Sequence, residues 1–363
     1  MRVILFIGHH KVGSSALQHY LARNAPALLR QGILYPAIEA AGMRRLQSRV
    51  AAAIAGPLHI NIREAHNALA FSMMSDITGK SVPSLHTDLP NTDTMLANIS
   101  SQIDRCQPHT VILASEVMAN FYNVGTATIK RLLANFSGAD LTVTATLRRV
   151  DDYLVSWQGQ RLRFGHAPPR LSDGGMSGGI HFNYRKMIKP WADTCEDATW
   201  HLCNYADVVA AGGSVPHFFN TNSLPLTINN TAEARVNTGL HRALIEIARR
   251  GNTELEKGTA QTLLQGLRTL GGQLDLPDTS DIELYGAPRR TKIFNRFAPV
   301  QAYLSDFVGH PFFPDIDDIL IPRPVPEDLA NAQALTQIRA RHLAGFPEPV
   351  RDWLMQLALQ ATT

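Results

Sequence analysis

VILFIGHHKVGSSALQHYL, residues 3–21, holds a β-branched and aromatic run, a loop between two glycines, and a helical stripe. Val3–Ile7 reads as a buried first strand. Gly8–Gly13 reads as a loop, and Ser14 or Ser15 caps a helix with Leu17, Tyr20 and Leu21 on one face. The two glycines enclose four residues, the spacing of the phosphate loop G-x-x-x-x-G-K-[ST], whose backbone N–H groups and helix N-terminus cradle an anion. Here the lysine is Lys11, inside the loop, and Ser14 follows the second glycine. A lysine so placed lies beside a bound phosphate and does not reach over to a γ-phosphate. The loop therefore suits a phosphate ligand without the triphosphate–magnesium apparatus.

Outward from this unit, strands and helices alternate. Asn24 and Pro26 read as the start of a second helix that stops at Gly32. Thr110–Ala114 and Leu141–Leu147 read as further strands, followed by a helix from about Asp151 to Phe164. Gly165–Gly179 is too rich in glycine and proline for regular structure. Trp200–Asn204 and Val215–Phe219 are two more strand candidates. Residues 40–105 read as several short helices. Stripes at Leu240, Leu244 and Ile247, then at Leu263, Leu267 and Leu270, predict helices in the last third, as do the residues around Leu335 and Trp353. The fold class is α/β, with a central parallel sheet flanked by helices in a phosphate-loop-type three-layer arrangement. One domain is expected over 1–363, with 40–105 and 253–363 as mostly helical additions.

The chain has 363 residues, 45% of them hydrophobic, which suffices for a large core and excludes wholesale disorder. Charged residues reach 18%, below the roughly 25% usual for soluble chains. A coiled coil or a charged nucleic-acid arm is therefore not expected, and no nucleic-acid partner is. The net charge of +3 is unevenly spread: residues 1–149 hold 14 Lys/Arg against 8 Asp/Glu, whereas residues 150–363 are net acidic. An anion is favoured in the first part. Three widely spaced cysteines, none in CxxC, fit a reducing cytoplasm. Val3–Ile7 is too short for a membrane span, and the low-charge stretch 46–62 is broken by Arg49, Gly56 and Pro57.

Carboxyl ends of parallel strands share one rim, where ligands bind. Arg148 stands at the end of the 141–147 strand, and Ser156 lies eight residues on, two turns into the next helix. A surface ion-pair cluster with Asp151 and Asp152 is the competing reading of this arginine pair. Glu116 follows the 110–114 strand and emerges at the same rim, either as a general base or as a helix-capping carboxylate. His9 and His10 adjoin Lys11 and rival Glu116, with loop shaping as their other reading. No HExxH or paired metal spacing occurs.

HHKVGSSALQ (9–18) resembles the 5′-phosphosulfate loop of PAPS-dependent sulfotransferases, where Lys-Thr-Gly-Ser/Thr-Ser/Thr is usual. LRRVDDYLVSW (147–157) resembles their 3′-phosphate motif, an Arg with a Ser eight residues later. LASEVM (113–118), NYRKMIKPWAD (183–193) and RVNTGLHRALIEIARRGN (235–252) extend the resemblance to bacterial sulfotransferases of the carbohydrate-modifying branch. It runs from about residue 2 to residue 252. Val12 stands where Thr is usual, and Gly239 stands near a usual Ser.

The resemblance implies transfer of a sulfuryl group from PAPS to a hydroxyl acceptor, a carbohydrate or polysaccharide, leaving PAP. It implies that the amides of Val12 and Gly13, with Ser14 and Ser15, hold the 5′-phosphate, and that Lys11 stabilises the leaving group. Arg148 and Ser156, helped by Arg235, would hold the 3′-phosphate, and Glu116, with His10 as rival, would serve as base. No metal is expected, because lysine and arginine supply the positive charge. A phosphate-loop kinase using ATP and a non-catalytic nucleotide-binding protein are the alternatives.

Overall fold

Three runs of buried, mostly β-branched or apolar residues, one half-buried strand and one two-residue strand pair side by side, all parallel, in the order Ile33–Leu34, Thr110–Ala114, Arg2–Phe6, Asp140–Leu147, Thr199–Asn204. The computed structural model describes residues 1–47, 57–174, 178–226 and 239–358. Through the first 150 residues the elements are β1 (Arg2–Phe6), α1 (Ser14–Leu29), β2 (Ile33–Leu34), α2 (Ala40–Gln47), α3 (Ile60–Arg63), α4 (Ala65–Thr78), α5 (Thr92–Cys106), β3 (Thr110–Ala114), a 3₁₀ turn at Glu116–Asn123, α6 (Thr126–Leu133) and β4 (Asp140–Leu147). After these come α7 (Val150–Arg163), α8 (Arg185–Ala192), β5 (Thr199–Asn204), α9 (Tyr205–Ala210) and α10 (Ser214–Thr221). The chain continues with α11 (Ile245–Glu254), α12 (Lys257–Leu270), β6 (Ile282–Glu283), α13 (Ala287–Val308), β7 (Val325–Pro326), α14 (Glu327–Gln337) and α15 (Glu348–Gln356).

These elements fall into two compact units, Met1–Arg148 with Asn183–Val236, and Arg149–Phe182 with Asn237–Thr363. The sequence reading of one domain does not contain this division. The first unit holds the whole five-stranded sheet. Ile4, Phe6, Ile112 and Ala114 bury one face against Leu17, Tyr20 and Leu21 of α1 and Val215, Phe218 and Phe219 of α10. Val3, Leu5, Val111 and Leu113, pointing the other way, are equally buried, so both faces are covered. Among the described residues no helix is long and apolar enough to cross a membrane.

Two sequence expectations are corrected. Val215–Phe219 is part of helix α10, not a strand. Its buried residues fall at i, i+3 and i+4, and a five-residue apolar run does not by itself distinguish the two periods. The helix expected to restart at Pro26 is the second half of α1, which runs on through the proline to Leu29. Its buried face (Leu17, Leu21, Ala25, Leu28) is continuous, and that burial outweighs the one backbone hydrogen bond a proline forfeits.

The second unit is mostly helical, with a two-stranded parallel pair, β6 and β7. Buried ion pairs tie it together. Arg149 donates to both carboxylate oxygens of Asp151 (2.8 and 3.1 Å) and to Asp315 (2.6 Å). Arg290, 2% exposed, donates to both oxygens of Glu283.

Candidate functional site

β1 is central, and the chain leaves it toward β2 on one side and crosses to β4 on the other. This reversal of winding direction leaves a crevice at the carboxyl ends of the strands. Residues 7–9 prolong β1 along β4: the Ile7 amide donates to Thr144 O, Thr146 donates to Gly8 O, and His9 donates to Thr146 O. The loop then turns away with Lys11 at φ +64° and Gly13 at φ +85°. For a lysine this left-handed conformation costs about 1–2 kcal/mol, and such strain clusters at functional sites.

Two close approaches fix the loop. A side chain at Gly8 would meet the Glu116 Cα at 3.1 Å, and one at Gly13 would meet Ser214 Oγ at 2.9 Å. Ser214 Oγ donates to Gly13 O at 2.8 Å, locking the start of α10 to the end of the loop. Behind the loop, the first-turn N–H groups of α1 point toward its concavity as helix geometry requires. Ser14 is buried there and Ser15 is exposed. Val12 is buried in the α1–α10 core.

Glu116 begins the 3₁₀ turn after β3, where Ser115, not Glu116, is the cap: Ser115 Oγ accepts from the Val117 amide at 3.1 Å. The capping reading of Glu116 is therefore corrected. Its Oε2 is buried and has no hydrogen-bond partner among the described residues. Burial, then the Glu64 carboxylate, push the Glu116 pKa up to about 8, while the Lys11 ammonium pulls it down. His10 Nε2 accepts from Asn120 Nδ2 of the same turn at 3.2 Å. His9 is fully buried against the Tyr184 ring, with centroids 5.1 Å apart. Both contacts fit loop shaping.

Arg148 follows β4, and Tyr205 follows the paired end of β5. The Arg148 guanidinium lies over the Tyr205 ring, 4.9 Å from its centroid, and its carbonyl accepts from Tyr184 Oη at 2.7 Å. Arg149 turns the other way into the Asp151 and Asp315 carboxylates. The ion-pair reading thus holds for Arg149 and not for Arg148. Ser156 is half-buried on α7 of the second unit, so the site is built here from the first unit alone. Arg235 lies outside the described residues.

Several residues that shape this rim escape a reading of the sequence. Asn67 Oδ1 accepts from Ser115 Oγ (2.8 Å), while its Nδ2 donates to Glu64 Oε2 (3.2 Å), joining the carboxylate that acts on Glu116 to the turn that carries it. His66 Nδ1 accepts from the Ala114 amide, and its Nε2–H donates to Pro36 O. Burial pushes its pKa down to about 4, so the ring stays neutral. Tyr184 and Trp191 brace Arg148 and the 116–123 turn, Trp191 Nε1 donating to Met118 O. Tyr205 carries a sequence signal in its place at the end of a strand, and Tyr184 and Trp191 lie in the 183–193 segment of the resemblance, though their partners are not legible there.

The rim therefore brings together a glycine-bounded loop before a helix N-terminus, a lysine, a carboxyl of raised pKa with a buried oxygen, and an arginine on an aromatic ring. No protein-family model, curated protein or solved structure matches the chain.

Proposed function

We propose that this rim binds PAPS and that the protein transfers its sulfuryl group to a hydroxyl acceptor, a saccharide being the expected class. The observation that carries the reading is the approach of Gly8 to Glu116, which sets the loop bearing Lys11 against a carboxyl with an unpartnered buried oxygen. The residues present fit the ligand's 5′ end: orphan amides at the α1 N-terminus, Ser14 and Ser15, and a positive-φ Gly13 that lets the loop turn into the helix. PAPS supplies the activated sulfuryl group when bound.

The chain's own groups do the rest. Loop amides and the α1 N-terminus hold negative charge, and Lys11 stabilises the charge that develops as a bond to the bound phosphate breaks. Arg148 presents a planar fork suited to a second phosphate. Glu116 in its ionised form takes the acceptor proton at Oε2. A carboxyl whose pKa is raised to about 8 is a far stronger base than an ordinary one, though only a minor fraction is ionised at neutral pH.

Thermal shift separates the readings. PAP is expected to stabilise the protein with or without EDTA, by about 2.7 kcal/mol at 100 times its Kd. If ATP with Mg²⁺ stabilises more than PAP, the site is a kinase's. If PAP stabilises but no acceptor is sulfated from PAPS, the protein binds the nucleotide without catalysis.

A further inference from the structure

The second unit contains a cleft of about 280 Å³ lined by Arg170 and Asp173, by Glu246, Arg249 and Arg250 of α11, and by Asp328 and Asn331 of α14. Its volume lies just below the ~300–1,000 Å³ range of drug-sized small-molecule sites, the room of one sugar-sized ring and not of a nucleotide.

The lining is charged yet balanced, three guanidiniums against three carboxylates. Most of it is already paired. Arg249 grips both oxygens of Glu246 at 2.7 Å, and Arg170 donates to Asp328 at 2.7 Å and to Glu327 at 2.8 Å. An anion would have to compete with these carboxylates, and a cation would face three arginines. An uncharged ligand disturbs neither set. It can take donors from the outer guanidinium nitrogens and offer hydroxyls to Asp173, which is exposed and has no ion pair among the described residues.

Asn331 gives the second observation. It is 1% exposed, and neither Oδ1 nor Nδ2 has a hydrogen-bond partner among the described residues. A buried amide left unpaired at both ends is a standing cost that an apolar residue of the same shape would avoid. One acceptor and one donor side by side are the complement of a vicinal hydroxyl pair.

We infer that this cleft is a binding site for a neutral, polyhydroxylated ligand of monosaccharide size, oriented by the Asn331 amide and Asp173. The inference does not rest on sulfuryl transfer and stands or falls without it.

Saturation-transfer NMR on the full chain tests it with glucose, galactose and N-acetylglucosamine, each to about 50 mM, where a millimolar ligand saturates. Glycine and inorganic phosphate serve as zwitterion and anion probes. At least one sugar is expected to bind in preference to both, and Asn331→Leu is expected to weaken it at least tenfold while melting no lower than wild type. Asp173→Ala, at an exposed position, is expected to weaken the same sugar and keeps the test decisive if Asn331→Leu fails to fold. No sugar binding, preference for glycine or phosphate, or sugar binding unchanged in either folded variant would overturn the inference.

Discussion

Glu116 and Glu327 are both buried carboxyls pushed above their ordinary range, to about 8 and about 7, and in both burial is the main cause. They differ in what faces them. Glu327 Oε2 takes two hydrogen bonds from Arg170, so its charge is held and its place in the second unit is structural. Glu116 Oε2 has no such partner among the described residues, and the charges that act on it are a like one on Glu64 and the lysine of a strained loop. A buried carboxyl paired with an arginine holds an architecture together. One left unpaired at the carboxyl ends of parallel strands is a cost that the proposed function would explain.

The largest expected effect separates the two directly. Glu116→Gln is expected to lower kcat by ~10²–10⁴ with PAP affinity near wild type, whereas Glu327→Gln leaves kcat per folded molecule unchanged. Should Glu116→Gln retain most of its kcat while His10→Asn loses a hundredfold, the unpaired carboxyl is not the base. Glu327→Ala should instead cost about 3 kcal/mol in urea unfolding, because it strands Arg170 with Asp328 alone. A loss under about 0.5 kcal/mol would remove the structural half of the contrast.

The neighbouring arginines repeat the contrast. Arg148→Ala is expected to weaken PAP binding roughly 10–150-fold and APS binding much less, because only PAP carries the 3′-phosphate. Arg149→Ala should lower the melting temperature and leave the PAP/APS ratio alone, since its guanidinium is committed to carboxylates. Equal effects on that ratio would mean that the aromatic seat of Arg148 does not mark a phosphate site.

A smaller effect tests the pKa itself. The folded pKa of Glu116 lies above the unfolded value of 4.5, so its contribution to stability is fully present below 4.5 and is lost as pH rises through about 8. Glu116→Gln should therefore melt near wild type at about pH 4 and above it at about pH 9, and wild-type kcat/KM should climb to a plateau past about pH 8. A plateau reached by about pH 5.5 would contradict the buried, unpaired state. Least of all, His10→Asn should raise the apparent KM for PAPS with a minor loss in kcat, as expected of a ring that holds the loop through Asn120.

Much of the first unit is legible from short-range pattern. Val3–Ile7, Thr110–Ala114, Leu141–Leu147 and Trp200–Asn204 coincide with strands to within a residue; in the first three, runs of buried β-branched and apolar side chains between turn residues have few other solutions. From those strand ends, Lys11, Glu116 and Arg148 follow at one rim. Val215–Phe219 is misread because five apolar residues carry no period. The seats of the site residues are not legible at all. That Asn67 meets Ser115, Tyr184 meets Arg148 and Ser214 meets Gly13 depends on pairings across 36 to 201 positions, which no local pattern encodes. Asn331 is misleading in another way, since a polar residue in a helix reads as surface until its burial is seen.

The position of β1 at the centre of the sheet has a consequence for how the molecule is made. Its partners, Thr110–Ala114 and Asp140–Leu147, are synthesised more than a hundred residues later, and the Gly8 and His9 backbone bonds to Thr146. A nascent chain therefore carries a strongly apolar strand with no partner until Thr110–Ala114 leaves the ribosome, and with one open edge until Asp140–Leu147 follows, some seconds after the first at ~5–20 residues per second. Contacts of such long sequence separation form late, and in that interval Val3–Ile7 needs shielding from other chains. The loop after β1 and the sheet edge it lies along then come into being together, so a chain truncated before Thr146 would lack the seat of the loop as well as β5.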